Sequence, residues 1–209
     1  METGVAPRCN LETQKQIVID LGIYWPVYGF PQLSRGENDS EMRNNYLQEL
    51  RQVISQSWFN NDWVKKGGLG QPLLVDYRVS LPDLLDLAKI VCWGLDDLAE
   101  NSQPISLGPK VLQCQFGEKY SDKSAEWFRE NADNRERGLT VLEGAYLALC
   151  CRKDSFFENG GRIICAGSVS KDGCFVPTYH VIERGIPVLH HCRHSYASRD
   201  YVIPSCARN

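Results

Sequence analysis

The segment RIICAGSVSKDGCFVPTYHVIERGIPVLHHCRH, residues 162–194, decides how this chain is read. Its β-branched and aromatic residues recur at a period of two, and Asp172-Gly173 stands between two such runs, a strong signal for a tight hairpin turn. Arg162 to Val169 and Cys174 to Ile182 are therefore expected to pair. A third strand, Ile186 to about His194, follows Glu183-Arg184-Gly185, and Tyr201 to Pro204 is a fourth candidate. The expected product is a small antiparallel β-meander of three or four strands over residues 160–209, with at least one free edge.

Upstream of Gly160-Gly161 the period changes to that of helices. Met42, Tyr46, Leu47, Leu50, Val53, Ile54 and Trp58 recur at helical spacing, so Glu41 to about Phe59 reads as an amphipathic helix with Ser40 as its cap. Ser80, Pro82 and Asp83 open a second helix, whose wide apolar arc from Leu84 to Leu98 places it centrally. A third helix covers about Asp122 to Asn134. Thr140 with Glu143 forms a capping box for a fourth, buried helix. Gln16 to Tyr28 reads as a buried strand or irregular apolar segment, Leu73 to Val79 as a short strand, and Asn101 to Lys119 as a polar connection. The fold class expected is α+β: one domain over residues 1–209, helical in its N-terminal two-thirds and packed on the C-terminal meander.

The C-terminal third holds all four histidines, His180, His190, His191 and His194, beside Cys165, Cys174, Cys192 and Cys206. A two-residue turn at Asp172-Gly173 sets Cys165 opposite His180, with Cys174 on the same face. The next turn governs the rest, because a one-residue slip moves a whole strand to the other face. A three-residue loop Glu183-Arg184-Gly185 brings His190, Cys192 and His194 to the face of Cys165, Cys174 and His180; a two-residue loop sends them away and brings only His191. The first alternative makes these six residues candidate zinc ligands, since Zn²⁺ takes tetrahedral nitrogen and thiolate donors. The set lacks a C-x-x-C knuckle. Cys165 with His180 also resembles a nucleophilic pair, without a third orienting group that can be named.

Apolar residues make up 43% and charged residues 23% of the chain, the balance of a packed globular protein. A net charge of −3 gives no footprint for nucleic acid or anionic lipid, although residues from Gly160 onward carry six Lys/Arg against three Asp/Glu. Neither a secretory signal nor an apolar run of membrane-spanning length occurs, so a cytoplasmic setting with reduced thiols is expected. Lys65-Lys66-Gly67-Gly68-Leu69-Gly70 reads as a helix cap and turn, because a phosphate loop follows a strand and opens a helix. Ser168-Val169-Ser170-Lys171 matches S-x-x-K but runs into a hairpin without its companion motifs. The five tryptophans are expected to serve the core. Tyr196 and Tyr201 beside Arg193 and Arg199 form a candidate recognition patch.

Ala166-Gly167-Ser168, Val176-Pro177, Ile186-Pro187-Val188-Leu189 with Cys192, and Ser205-Cys206, preceded by a Glu143-Gly144 step, resemble the closing β-region of an uncharacterised bacterial domain family. The likeness covers roughly Thr140 to Asn209; this chain has His190, His191 and His194 where that family tends to have tryptophan and glycine. The resemblance implies a bacterial cytoplasmic setting and an α+β fold, and assigns no catalytic residue. The function expected is that of a non-enzymatic protein-binding protein, with a Cys/His-dependent, zinc-assisted hydrolase as the alternative.

Overall fold

The computed structural model describes residues 10–28, 39–57, 70–94, 108–152, 155–182 and 186–208. Among them are the helices α1 (Leu11–Asp20), α2 (Tyr24–Val27), α3 (Asp39–Gln56), α4 (Leu81–Ala88), α5 (Ala125–Asn131), α6 (Val141–Cys151) and α7 (Ser155–Glu158). The strands are β1 (Gln71–Asp76), β2 (Val91–Cys92), β3 (Pro109–Gln115), β4 (Glu136–Gly138), β5 (Arg162–Ile164), β6 (Phe175–Ile182), β7 (Ile186–Arg193), β8 (Tyr201–Val202) and β9 (Ser205–Ala207). They form a four-stranded sheet ordered β1-β3-β9-β4 and a five-stranded sheet ordered β2-β7-β6-β5-β8.

This corrects the expected fold class. The chain is mixed α/β, with strands from Gln71 onward, rather than a helical body on one C-terminal meander. The expected antiparallel run β5-β6-β7 exists, but β2 joins it in parallel at one edge and β8 in parallel at the other. Three misread segments account for the difference. The connection Asn101 to Lys119 contains β3, which is buried at Pro109, Leu112, Cys114 and Gln115. The helix expected to reach Leu98 stops at Ala88, because Lys89 adopts a left-handed conformation (φ 55°) and Ile90 N then donates to Leu85 O. Ser205–Ala207 leaves the five-stranded sheet altogether and inserts between β3 and β4 of the other.

Local capping explains the helices that do form. Asn10 accepts a hydrogen bond from Thr13 N and turns Leu11–Asp20 into α1, which takes in the start of the Gln16 to Tyr28 stretch expected to be a strand or irregular segment. Ser80 accepts from Asp83 N at the start of α4, and Thr140 and Glu143 form the expected capping box of α6. Among the tryptophans, Trp25 is buried as expected, whereas Trp93 is 56% and Trp127 37% exposed; Trp58 and Trp63 lie outside the described residues, as does most of Lys65–Gly70.

Helix α6 is the centre of the fold. It packs against β1 of one sheet and against β5 and β6 of the other, and of its residues only Cys150 is not buried. At roughly 1.5–3 kcal/mol for each large apolar side chain removed from water, Leu142, Tyr146, Leu147 and Leu149 make this helix a principal source of stability. The approach to β5 is close enough that a Cβ at Gly144 would overlap Cys165 Sγ. A second, smaller core lies on the other face of the five-stranded sheet, where Ala125 and Phe128 of α5 and Tyr120 meet Ile164, Val176, Tyr201 and Ile203. No described helix is long and apolar enough to cross a membrane.

Candidate functional site

The chain turns where the sequence places it, but through a four-residue loop, Lys171–Cys174, rather than the two-residue Asp172-Gly173 turn expected: Ser170 N donates to Phe175 O (2.9 Å), Gly173 N to Ser170 O (2.9 Å), and Gly173 takes φ 75°. Its register does not extend into β5. There Arg162, not Cys165, lies opposite His180, followed by Ile163 opposite Tyr179 and Ile164 opposite Thr178. The chain between 165 and 170 is drawn out of the hairpin instead. Gly167 N donates to Leu139 O (2.9 Å), Ser168 Oγ accepts from Val141 N (2.9 Å), and the Arg129 guanidinium donates to Ala166 O and Ser168 O. These bonds take up an odd number of residues, which reverses the faces. Cys165 turns inward with Ile163 and Tyr179, is fully buried, and has its thiol pushed up by burial and by nearby Glu143. The expected Cys165 and His180 pair is therefore split between opposite sides of the sheet.

The next register follows the three-residue alternative, with Ile182 opposite Ile186 and Phe175 opposite Arg193; Glu183–Gly185 lie outside the described residues. His180, His190 and Cys192 consequently share the α5-side face. The His180 and His190 rings meet edge to face at 4.6 Å. Thr178, directly opposite His190, donates its hydroxyl to Cys192 Sγ at 3.2 Å. His190 Nδ1 lies 3.1 Å from His191 O, which places its proton there and leaves Nε2 as an acceptor. His180 Nδ1 and His190 Nε2 are buried without a hydrogen-bond partner among the described residues. Burial, the neighbouring His190 and Arg162 push His180 down to about 4; burial and Arg162 likewise lower His190. Both rings are neutral near pH 7.

The remaining expected ligands lie elsewhere. Cys174 and His194 continue the β6–β7 ladder at its far end, where His194 N donates to Cys174 O (3.0 Å), and Cys174 is exposed while His194 Nδ1 approaches Glu126 Oε1 at 3.9 Å. Among the described residues no group of three His, Cys, Asp or Glu side chains is placed to hold a metal ion. In the tail patch, Tyr201 is buried beneath Arg162 (5.3 Å from ring centroid to guanidinium), whereas Tyr196, Arg193 and Arg199 are exposed.

The tertiary structure adds a feature that the sequence did not single out. Val91 (41% exposed), Ile182 (39%) and Ile186 (38%) share the face of His180 and His190, since Val91 lies beside Val188 and Ile182 opposite Ile186. Trp93, two residues beyond Val91, donates its backbone N–H to Leu189 O and extends the same row. These side chains make an apolar stripe on one face of the sheet, across β2, β7 and β6. Arg162 stands on the same face across β6. The opposite sheet treats its edge differently: the buried Gln14 side chain accepts from Leu74 N and donates to Pro72 O (both 2.7 Å), closing the outer side of β1 as another strand would. At the other end of β7 a cavity of about 200 Å³ is lined by Gly94, Ser170, Lys171, Asp172, Phe175 and His191. No signal marked Trp93 in the sequence, because an apolar residue in a wide apolar arc looks like core until the helix is seen to end before it. Comparison of the chain with protein-family models, with curated proteins and with solved structures gives no match.

Proposed function

We propose that this chain is a cytoplasmic, non-enzymatic protein-binding module that receives an apolar, carboxylate-bearing segment of another protein across the His180–His190 face of its five-stranded sheet. The observation that supports this reading most is the exposed row Val91, Trp93, Ile182 and Ile186. An edge strand carrying apolar side chains is either covered or used, and here β1 is covered whereas β2 has no described strand beside it. Aromatic side chains at such a place are the usual anchors of an interface. The chemistry of the partner follows from what surrounds the stripe. Arg162 is a cation on this face, the imidazoles beside it are neutral, and the chain from Gly160 onward has twice as many basic as acidic residues.

The test compares purified full-length chain with its Trp93→Glu and Ile186→Glu variants. A partner supports the reading if its Kd, measured with both proteins purified, weakens at least tenfold in each variant and is unchanged by Lys110→Glu, an exposed position on the other sheet. Partners bound equally by all forms would refute it. So would sedimentation showing that the same variants only dissociate a homodimer, since the stripe would then serve a second copy.

A further inference from the structure

Two of the nine cysteines occupy directly opposed positions on neighbouring strands. Cys114 of β3 and Cys206 of β9 are Cα partners in an antiparallel ladder, and both are fully buried. Their backbone groups point away from each other. Leu139 N donates to Pro204 O and Arg208 N to Arg135 O, so alternate residues of β9 including Cys206 bond to β4, while Cys114 O accepts from Gly70 N on the β1 side. Cys114 and Cys206 thus form a non-hydrogen-bonded pair, the type in which Cα atoms come to about 4.5 Å and side chains approach most closely. A disulfide needs Cα atoms about 4.4–6.8 Å apart. Burial, then Cys206 and Glu143, push the Cys114 thiol up, and the guanidinium of Arg137, the β4 residue opposite Cys206, offsets this only in part, so the thiolate that attacks forms once the pair is opened to water.

We infer that Cys114 and Cys206 form a reversible cross-strand disulfide when the chain meets a small-molecule disulfide such as oxidised glutathione. One thiolate of the pair attacks a sulfur of oxidised glutathione, forming a mixed disulfide and releasing one glutathione thiolate. The second protein thiolate then attacks the protein sulfur of that mixed disulfide, closing the Cys114–Cys206 bond and releasing the second glutathione thiolate. The two protons lost by the cysteines are taken up by the two glutathione thiolates, so two protein thiols are oxidised as one glutathione disulfide is reduced. The bond would tie the terminal strand β9 to β3 and close a loop of most of the C-terminal half, which constrains the unfolded chain strongly. Access requires β9, a strand of three residues, to open locally.

The experiment incubates the full chain with oxidised glutathione, with the temperature stepped up so that opening of β9 is not limiting, then blocks free thiols and maps peptides by mass spectrometry. The expected product is a Cys114–Cys206 linked peptide lacking two hydrogens, with a rise in Tm of roughly 5–15 °C that is reversed by reductant. Cys114→Ala and Cys206→Ala should each abolish both effects. Exposed Cys174 supplies an internal control, because it should accept glutathione as a mixed disulfide. The inference is overturned if Cys174 has reacted while Cys114 and Cys206 remain thiols, carry separate adducts, or are linked to other cysteines. None of these readouts depends on a binding partner.

Discussion

Replacing Arg137 by methionine strands a carboxylate in the core. Glu143, with a fully buried side chain, accepts from Arg137 Nη1 (2.7 Å) and Nη2 (2.6 Å), Tyr77 Oη (2.5 Å) and Thr140 N (2.7 Å). Burial alone would raise its pKa, but the Arg137 bonds and charge more than offset this and hold it below the ordinary carboxylate value. Removing one partner of a buried ion pair costs about 3–5 kcal/mol, and the 29% exposure of the Arg137 side chain puts the expectation at the lower end, about 3 kcal/mol. For a chain of this size that is a fall in Tm of roughly 6–12 °C. Acid should narrow the difference. In the wild type, the depressed Glu143 value gives stability that is present above the unfolded value near 4.3 and lost as pH falls through the folded value. In Arg137→Met the uncompensated, buried carboxyl has a raised value, so protonation relieves the penalty as pH falls from 7 towards 4. Urea denaturation of both proteins at pH 7, 5.5 and 4.5 measures this, and Arg137→Met/Glu143→Gln should recover much of the loss at pH 7. A loss below about 1 kcal/mol at pH 7, or a gap that widens on acidification, would refute the reasoning.

Two further outcomes follow from the same packing. Because His180 titrates near 4 in the folded chain against about 6.5 unfolded, it contributes stability that is complete above pH 6.5, declines as pH falls to about 4, and changes no further below that; discounted for its partial exposure, this is about 1–2 kcal/mol. His180→Gln should flatten the pH 6.5 to 4 limb of the stability curve relative to wild type; an unchanged limb would argue against a neutral, buried ring. Gly144→Ala should cost about 1–3 kcal/mol through overlap with Cys165 Sγ. Cys165→Ala removes the overlapping sulfur, so the double variant should be more stable than the sum of the single losses predicts; strict additivity in chemical denaturation would refute the contact.

Features set by neighbours within a few residues were legible in the sequence. The Thr140/Glu143 capping box, the Ser80 cap, the place of the turn around Asp172-Gly173 though not its length, and the helix through Tyr46 and Leu50 depend on local hydrogen bonds and on periodicity, which the order of residues encodes directly. The core side of α6 was readable for the same reason. The candidate site was only half legible. His180, His190 and Cys192 do share a face, as one of the two loop alternatives required, but Cys165 does not join them. What reversed it is Gly167 and Ser168 bonding to Leu139 and Val141, residues far away in sequence.

The sequence by itself determined where helices start, where the chain turns and which residues are apolar enough to be buried, since these follow from short-range bonding and composition. Only the tertiary structure decided which strands adjoin, and with that the faces of Cys165 and His180, the opposition of Cys114 and Cys206, and the exposure of Trp93. The physical reason is that strand pairing is satisfied by backbone groups common to every residue. Register is therefore set by long-range packing, and one odd offset at Ala166–Val169 reassigns every side chain before it to the other side of the sheet.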